Sequence, residues 1–260
     1  MTATTTPSPV VRALDVLAAE WTKFASIRST YWTLGVAVVT GIGFSAIIAI
    51  AFVNTPATSP VDPLQPGFLS LEYAVIAVAV LGVLTMTTEY ATGLIRTTFA
   101  AVPRRRPVLA AKAVVVGGVA LVVGEFVSIV SFLVAQAILS AHHLSTSLSH
   151  PGVLRSVLAT GLLLCVCGTL GLGLGAIIRH TVGAIAAFVG LVLIPSIVGL
   201  LPSPWDHRIG RFSLFYAAQQ AVASHPRTDL FSPGISVLVL LGWPAVVLLA
   251  AAVRITRQDT

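Results

Sequence analysis

Residues Ala113–Leu139 read AVVVGGVALVVGEFVSIVSFLVAQAIL, and Glu125 is the one ionisable side chain in the stretch. A run this long and apolar exceeds the ~20 residues that a helix needs to cross the hydrocarbon core of a bilayer. It lacks the period-two alternation of a barrel strand, so a continuous helix is the form that satisfies its backbone in lipid. Working outward, Trp32–Val53, Leu71–Thr88, Leu154–Ile178, Val182–Leu201 and Gly234–Val253 meet the same test. Pro195 falls near the outer end of the fifth span, and Pro244 predicts a kink in the sixth.

Composition agrees. Of the 260 residues, 56% are hydrophobic and 9% charged, whereas soluble domains carry roughly 25% charged residues. Lipid must therefore be the solvent for most side chains. No cleavable signal peptide is read at the N-terminus, because the first apolar run starts late and outlasts the usual h-region of ~7–15 residues. Cys165 and Cys167 lie two apart inside one apolar run and point to different sides of a helix, so they read as small packing residues.

Lys and Arg placement sets the expected orientation. With both termini inside, the inner segments hold Arg12, Lys23, Arg28, Arg96, Arg104, Arg105, Arg106, Lys112, Arg179, Arg254 and Arg257. The outer segments hold Arg155, Arg208, Arg211 and Arg227, and the first outer loop, Asn54–Ser70, has no Lys or Arg. The expected fold is an all-α integral membrane protein with six transmembrane helices, an N-terminal interfacial helix, and both ends in the cytoplasm. Residues 1–31 form the N-terminal part and residues 32–260 the membrane domain. The basic excess behind the net charge of +6 belongs to the inner face and suits anionic lipid headgroups, at about 1 kcal/mol per basic residue. Scattered between spans, these cations do not make a nucleic-acid surface.

Three connecting segments carry information. Val10–Arg28 is amphipathic: Leu14, Leu17, Ala18, Trp21, Phe24 and Ala25 follow one stripe, with Asp15, Glu20 and Lys23 mostly off it. It predicts a helix lying in the membrane plane. Residues 89–112 run from Glu89 to Lys112, and a short helix over Thr92–Ala101 should be stopped by Pro103. Arg104, Arg105 and Arg106, with Lys112, then anchor at the inner headgroups. Residues 202–233 form a long outer segment, in which Arg208–Val222 predicts one or two short helices dipping into the outer leaflet.

Several chemistries are missing. There is no GxxxxGK[ST] phosphate loop; the two lysines, Lys23 and Lys112, do not follow a glycine. No HExxH occurs, and His142, His143 and His150 read as solvated loop residues rather than metal ligands. No catalytic triad can be nominated, so no enzymatic activity, metal or cofactor is expected. Glu125 stands apart, because an acid at mid-span costs on the order of 2.5–3.5 kcal/mol. It either lines a functional path or serves as a hydrogen-bonded packing carboxyl. Gly171 and Gly175 form a small-xxx-small pair that predicts close helix packing.

At the 89–112 segment the sequence resembles the membrane-spanning permease subunits of type-2 ABC exporters, the ABC-2 group. The residues that carry this are Glu89 with Gly93, Thr97-Thr98-Phe99-Ala100, Pro103-Arg-Arg-Arg106 to Lys112, and Glu20-Trp-Thr-Lys23 with Arg28-Ser-Thr-Tyr-Trp32. The resemblance implies that Thr92, Gly93, Ile95, Arg96, Thr97 and Phe99 belong to a coupling helix that docks on a separate ATPase subunit. It also implies a connecting helix over Val10–Arg28 and a homodimer or heterodimer of permeases, with ATP bound by the partner. Two other readings stay open: a proton-coupled secondary transporter using Glu125, and a non-transporting membrane scaffold or sensor.

Overall fold

A computed structural model of the chain describes residues 13–54, 65–101, 105–142, 144–198, 210–223 and 230–257. These residues form nine helices and no strand: α1 Ala13–Ser26, α2 Arg28–Asn54, α3 Gln65–Ala91, α4 Leu94–Ala101, α5 Arg105–Ser140, α6 Val153–Ile178, α7 Thr181–Val198, α8 Leu214–Val222 and α9 Pro233–Arg257. Five are long and apolar enough to cross a membrane: α2, Tyr73–Ala91 of α3, α5, α6 and α9. The apolar stretch Thr181–Ile194 of α7 is shorter. The fifth of the six expected spans, Val182–Leu201, is thus seen only as α7, and residues 199–201 lie outside the described residues.

The helices pack around α6, which touches α3, α5, α7, α8 and α9. Glycines set the closest approaches. A Cβ on Gly82 of α3 would fall on the carbonyl oxygen of Gly168, and one on Gly171 would fall on that of Ala79. One on Gly175 would stand 3.0 Å from the carbonyl oxygen of Val83. Backbones can approach this closely only without side chains between them, the usual source of helix adhesion in lipid. On the α5 side, Ser128 Oγ donates to the Val157 carbonyl at 2.7 Å, and Ser45 Oγ of α2 donates to the Ser131 carbonyl at 2.8 Å.

Several boundaries differ from expectation. α5 begins at Arg105, two turns before the apolar run, so Arg105 and Arg106 form its first turn instead of a loop, and the helix is about 54 Å long. Pro107 is compatible with this, because first-turn amides need no intrahelical partner. Arg104 lies outside the described residues. The short helix after α3 starts at Leu94, not Thr92, because Gly93 takes φ +72° and closes α3 in a left-handed turn. α1 covers Ala13–Ser26, and residues 10–12 are not described. Of the outer segment, α8 is described. Ser213 caps it by accepting from the Tyr216 amide, and Leu214, Ala217, Ala221 and Val222 are buried. At this end Arg155 donates to the Ala223 carbonyl and Trp243 Nε1 to that of Phe212. Pro244 lies buried within α9.

Candidate functional site

The end of the bundle opposite α8 carries α1 and α4, and four side chains there close a ring of ion pairs. The buried face of α1 runs Val16, Glu20, Phe24 at steps of four, so Glu20 points inward with its apolar neighbours. Glu89 lies in the last turn of α3, and Lys112 lies two turns into α5 between buried Val108, Leu109, Val115 and Val116. Lys112 Nζ stands 2.6 Å from Glu20 Oε2 and 2.7 Å from Glu89 Oε1. Lys23 Nζ stands 2.7 Å from Glu20 Oε1 and 3.3 Å from Glu89 Oε1, and donates to Thr98 Oγ1 of α4 at 3.2 Å. Side-chain exposure is 2% for Lys112 and 3% for Glu20, against 30% for Lys23.

Two ammonium and two carboxylate groups leave the ring formally neutral. That is the condition under which buried charge is tolerated. Burial alone would lower the Lys23 ammonium. The Glu20 hydrogen bond and the Glu89 and Glu20 charges outweigh it and hold the group above its ordinary value. Both lysines of the chain stand here although Arg is far commoner in it. A compact ammonium with three rotatable donors fits between two carboxylates from different helices, where a planar guanidinium would not. Glu89 Oε2 is buried without a partner. Beside the ring lies a cavity of about 120 Å³ lined by Glu20, Lys23, Phe24, Thr30, Leu84, Thr88 and Glu89 among others.

α4 is held from two sides. Ile95 is buried in an apolar cluster with Val16, Met86, Val108, Leu109 and Ile255, and Thr98 meets Lys23. Leu94, Arg96 and Thr97 face outward. Next to the ring, the Arg179 guanidinium lies 5.0 Å over the Tyr90 ring, and Thr181 Oγ1 donates to Thr87 Oγ1 at 2.9 Å, tying the α6–α7 connection to α3.

No protein-family model matches this chain, and no curated protein does either.

The structure brings Glu89 and Lys112 together, burying Lys112 between carboxylates instead of leaving it at the headgroups, sets Ile95 in the neighbouring apolar cluster, and leaves Arg96 and Thr97 on the open side of α4. Thr92 and Gly93 sit in the turn before α4, outside the helix. The Phe99 side chain is not among the described ones. Arg105 Nη1 donates to the Ile255 carbonyl at 3.1 Å, pinning α5 to the end of α9, and Arg106 is exposed. Gly171 lies at the α3–α6 contact, as does Gly175. Glu125 lies away from the ring, farther along α5. Sequence reasoning placed Glu20 and Lys23 on the polar face of α1 and so missed the ring. The available signal was the spacing of Glu20, four from both Val16 and Phe24, which puts it on one face with them.

This arrangement holds no nucleophile–base pair. It can carry force: α1 is joined through charge to the ends of α3 and α5, and α4 is held by the Lys23–Thr98 hydrogen bond and the Ile95 cluster. A displacement of either short helix reaches two long helices without a flexible link.

Proposed function

We propose that this chain is the transmembrane permease subunit of an ATP-driven exporter of the ABC-2 type, a six-span protein of the cell membrane with both termini in the cytoplasm. It acts with a second permease copy or homologue and with a separate ATPase subunit that binds and hydrolyses ATP. α7 is read as the remaining crossing, at about 27 Å for its 18 residues. The ion-pair ring is the observation that carries the proposal. A membrane protein that only anchors itself needs positive charge at the inner headgroups. It does not need two buried carboxylates and a buried lysine binding two short helices to two spans.

On this reading α4 is the docking element. Its inward residues, Ile95 and Thr98, register it on the bundle, and its outward Leu94, Arg96 and Thr97 meet the ATPase. ATP-driven motion of the ATPase moves α4. The ring and the Ile95 cluster pass that motion to α1, α3 and α5 as a rigid-body switch. Anionic lipids at the inner leaflet complement Arg105, Arg106, Arg254 and Arg257.

The test is co-purification from cells that express the tagged chain at its natural level. A soluble subunit with a phosphate-loop ATPase activity should accompany the wild-type chain. Arg96→Glu combined with Leu94→Asp should release it while leaving the chain in the membrane. Purification without any ATPase, at a tag position that spares α1 and α4, refutes the proposal.

A further inference from the structure

Glu125 breaks the pairing rule that the ring obeys. It lies thirteen residues beyond Lys112 on α5, about 20 Å deeper along the helix axis. Its carboxyl rests on Gly161 of α6, where a Cβ would land on the carboxyl carbon itself. Oε2 is buried without a hydrogen-bond partner, and Glu125 joins none of the ion pairs among the described residues. The residue is nonetheless partly exposed. Val122 and Phe126 beside it on α5, and Leu158 one turn before Gly161 on α6, are exposed and apolar. A carboxyl at this depth, open to the side and flanked by apolar surface, leaves a place for a partner from outside the chain.

The charge pattern says what that partner carries. Every described Lys and Arg sits in a connection or within about two turns of a helix end. The described one nearest the level of Glu125 is Arg155, six residues or about 9 Å from Gly161 along α6, and it is engaged with the Ala223 carbonyl, so a second copy brings no free described cation to that level. A solute that dissolves in the bilayer and bears its own positive charge meets both requirements: it reaches the site sideways and supplies the missing counter-charge. In a medium of low dielectric constant the attraction between the two is many times its value in water. Pairing also removes the cost that each charge would carry alone at mid-membrane. Where the site opens to water the same attraction weakens, so release needs no change in the ligand.

We propose that Glu125 is the charge-recognising residue of a binding site for lipophilic cations, entered from the bilayer between α5 and α6, with Gly161 as the notch that seats its carboxyl. This rests on the exporter reading for its role as the substrate site, and names the class of substrate that reading leaves open.

The test uses the full chain, without ATPase, in phosphatidylcholine nanodiscs. The probes are tetraphenylphosphonium and tetraphenylborate, which share shape and differ in sign. Wild-type chain should bind the phosphonium saturably and the borate not at all. Glu125→Gln should bind the phosphonium at least about tenfold more weakly. A second measurement needs no variant: dicyclohexylcarbodiimide should modify Glu125, read by peptide mass, and the phosphonium should protect it where the borate does not. Equal phosphonium affinity in Glu125→Gln, equal binding of the borate, or a Glu125 that the carbodiimide does not reach because another helix or a second copy covers it, overturns the proposal. Phosphonium binding that persists in a chain shown to have no ATPase partner counts against the exporter reading and leaves the site standing.

Discussion

Replacing Lys112 by Met removes an ammonium held at 2.6 Å from Glu20 Oε2 and 2.7 Å from Glu89 Oε1, with 2% of the side chain exposed. Met keeps most of the volume, so the loss is electrostatic. Glu20 and Glu89 would then share Lys23 alone, which lies farther from Glu89, at 3.3 Å, and is part-solvated. Deleting one member of a buried pair costs about 3–5 kcal/mol, because the partner stays buried and uncompensated. That is a large part of the ~5–15 kcal/mol that holds a typical fold. At about 2–4 °C per kcal/mol for a chain of similar size, the melting temperature should fall by about 6–20 °C. Tryptophan fluorescence during thermal unfolding in nanodiscs reads this directly. Adding Glu89→Gln to Lys112→Met should restore part of the loss, with a coupling of about 0.5–3 kcal/mol. A Lys112→Met chain that melts within about 2 °C of wild type, or a Glu89→Gln effect that simply adds, refutes the ring as a shared electrostatic unit.

Other consequences can be measured on the same preparations. Gly82→Ala places a Cβ on the Gly168 carbonyl oxygen and should cost about 1–3 kcal/mol by forcing α3 from α6; Gly242→Ala, with nothing within 4 Å, should leave the melt unchanged. Gly93→Ala meets φ +72° and should cost about 1–2 kcal/mol; faster amide exchange across Leu94–Ala101 is the expected signature. Lys23 titrates above its ordinary value, so its contribution is complete below the unfolded lysine pKa of about 10.4 and is lost as pH rises through the folded one. The melting difference between wild type and Lys23→Met should accordingly hold through neutral and mildly alkaline pH and shrink at strongly alkaline pH, and a difference that already shrinks between about pH 7 and 9 would contradict that sign.

The long helices were readable because lipid imposes a simple rule: apolar length. Leu154–Ile178 differs from α6 by a single residue, since Gly152 and Arg179, both at positive φ, bracket it. Ends defined by charge were less readable. Hydropathy starts span three at Ala113, yet the helix persists back to Arg105, because Lys112 finds carboxylates and need not leave the bundle. α4 was visible as a short amphipathic stretch, but its start depends on the backbone of Gly93. The ring itself was half visible. Glu89 and Lys112 stood out beside a span, whereas Glu20 and Lys23 looked like the wet side of an interfacial helix. Periodicity tells which residues share a face; it does not tell which face is inward until a partner on another helix is known.

The central place of α6 bears on how the protein is made. During synthesis α2, α3 and α5 leave the ribosome before α6, yet the backbone-to-backbone seats on Gly82 and Gly124 are filled by Gly168 and Gly161 of α6. Until that strut arrives, α2, α3 and α5 can already meet one another, through Ser45 on the Ser131 carbonyl and Glu89 on Lys112, but the glycine troughs of α3 and α5 stand open. The closest backbone seats of the bundle therefore fill only once the fourth long helix has emerged.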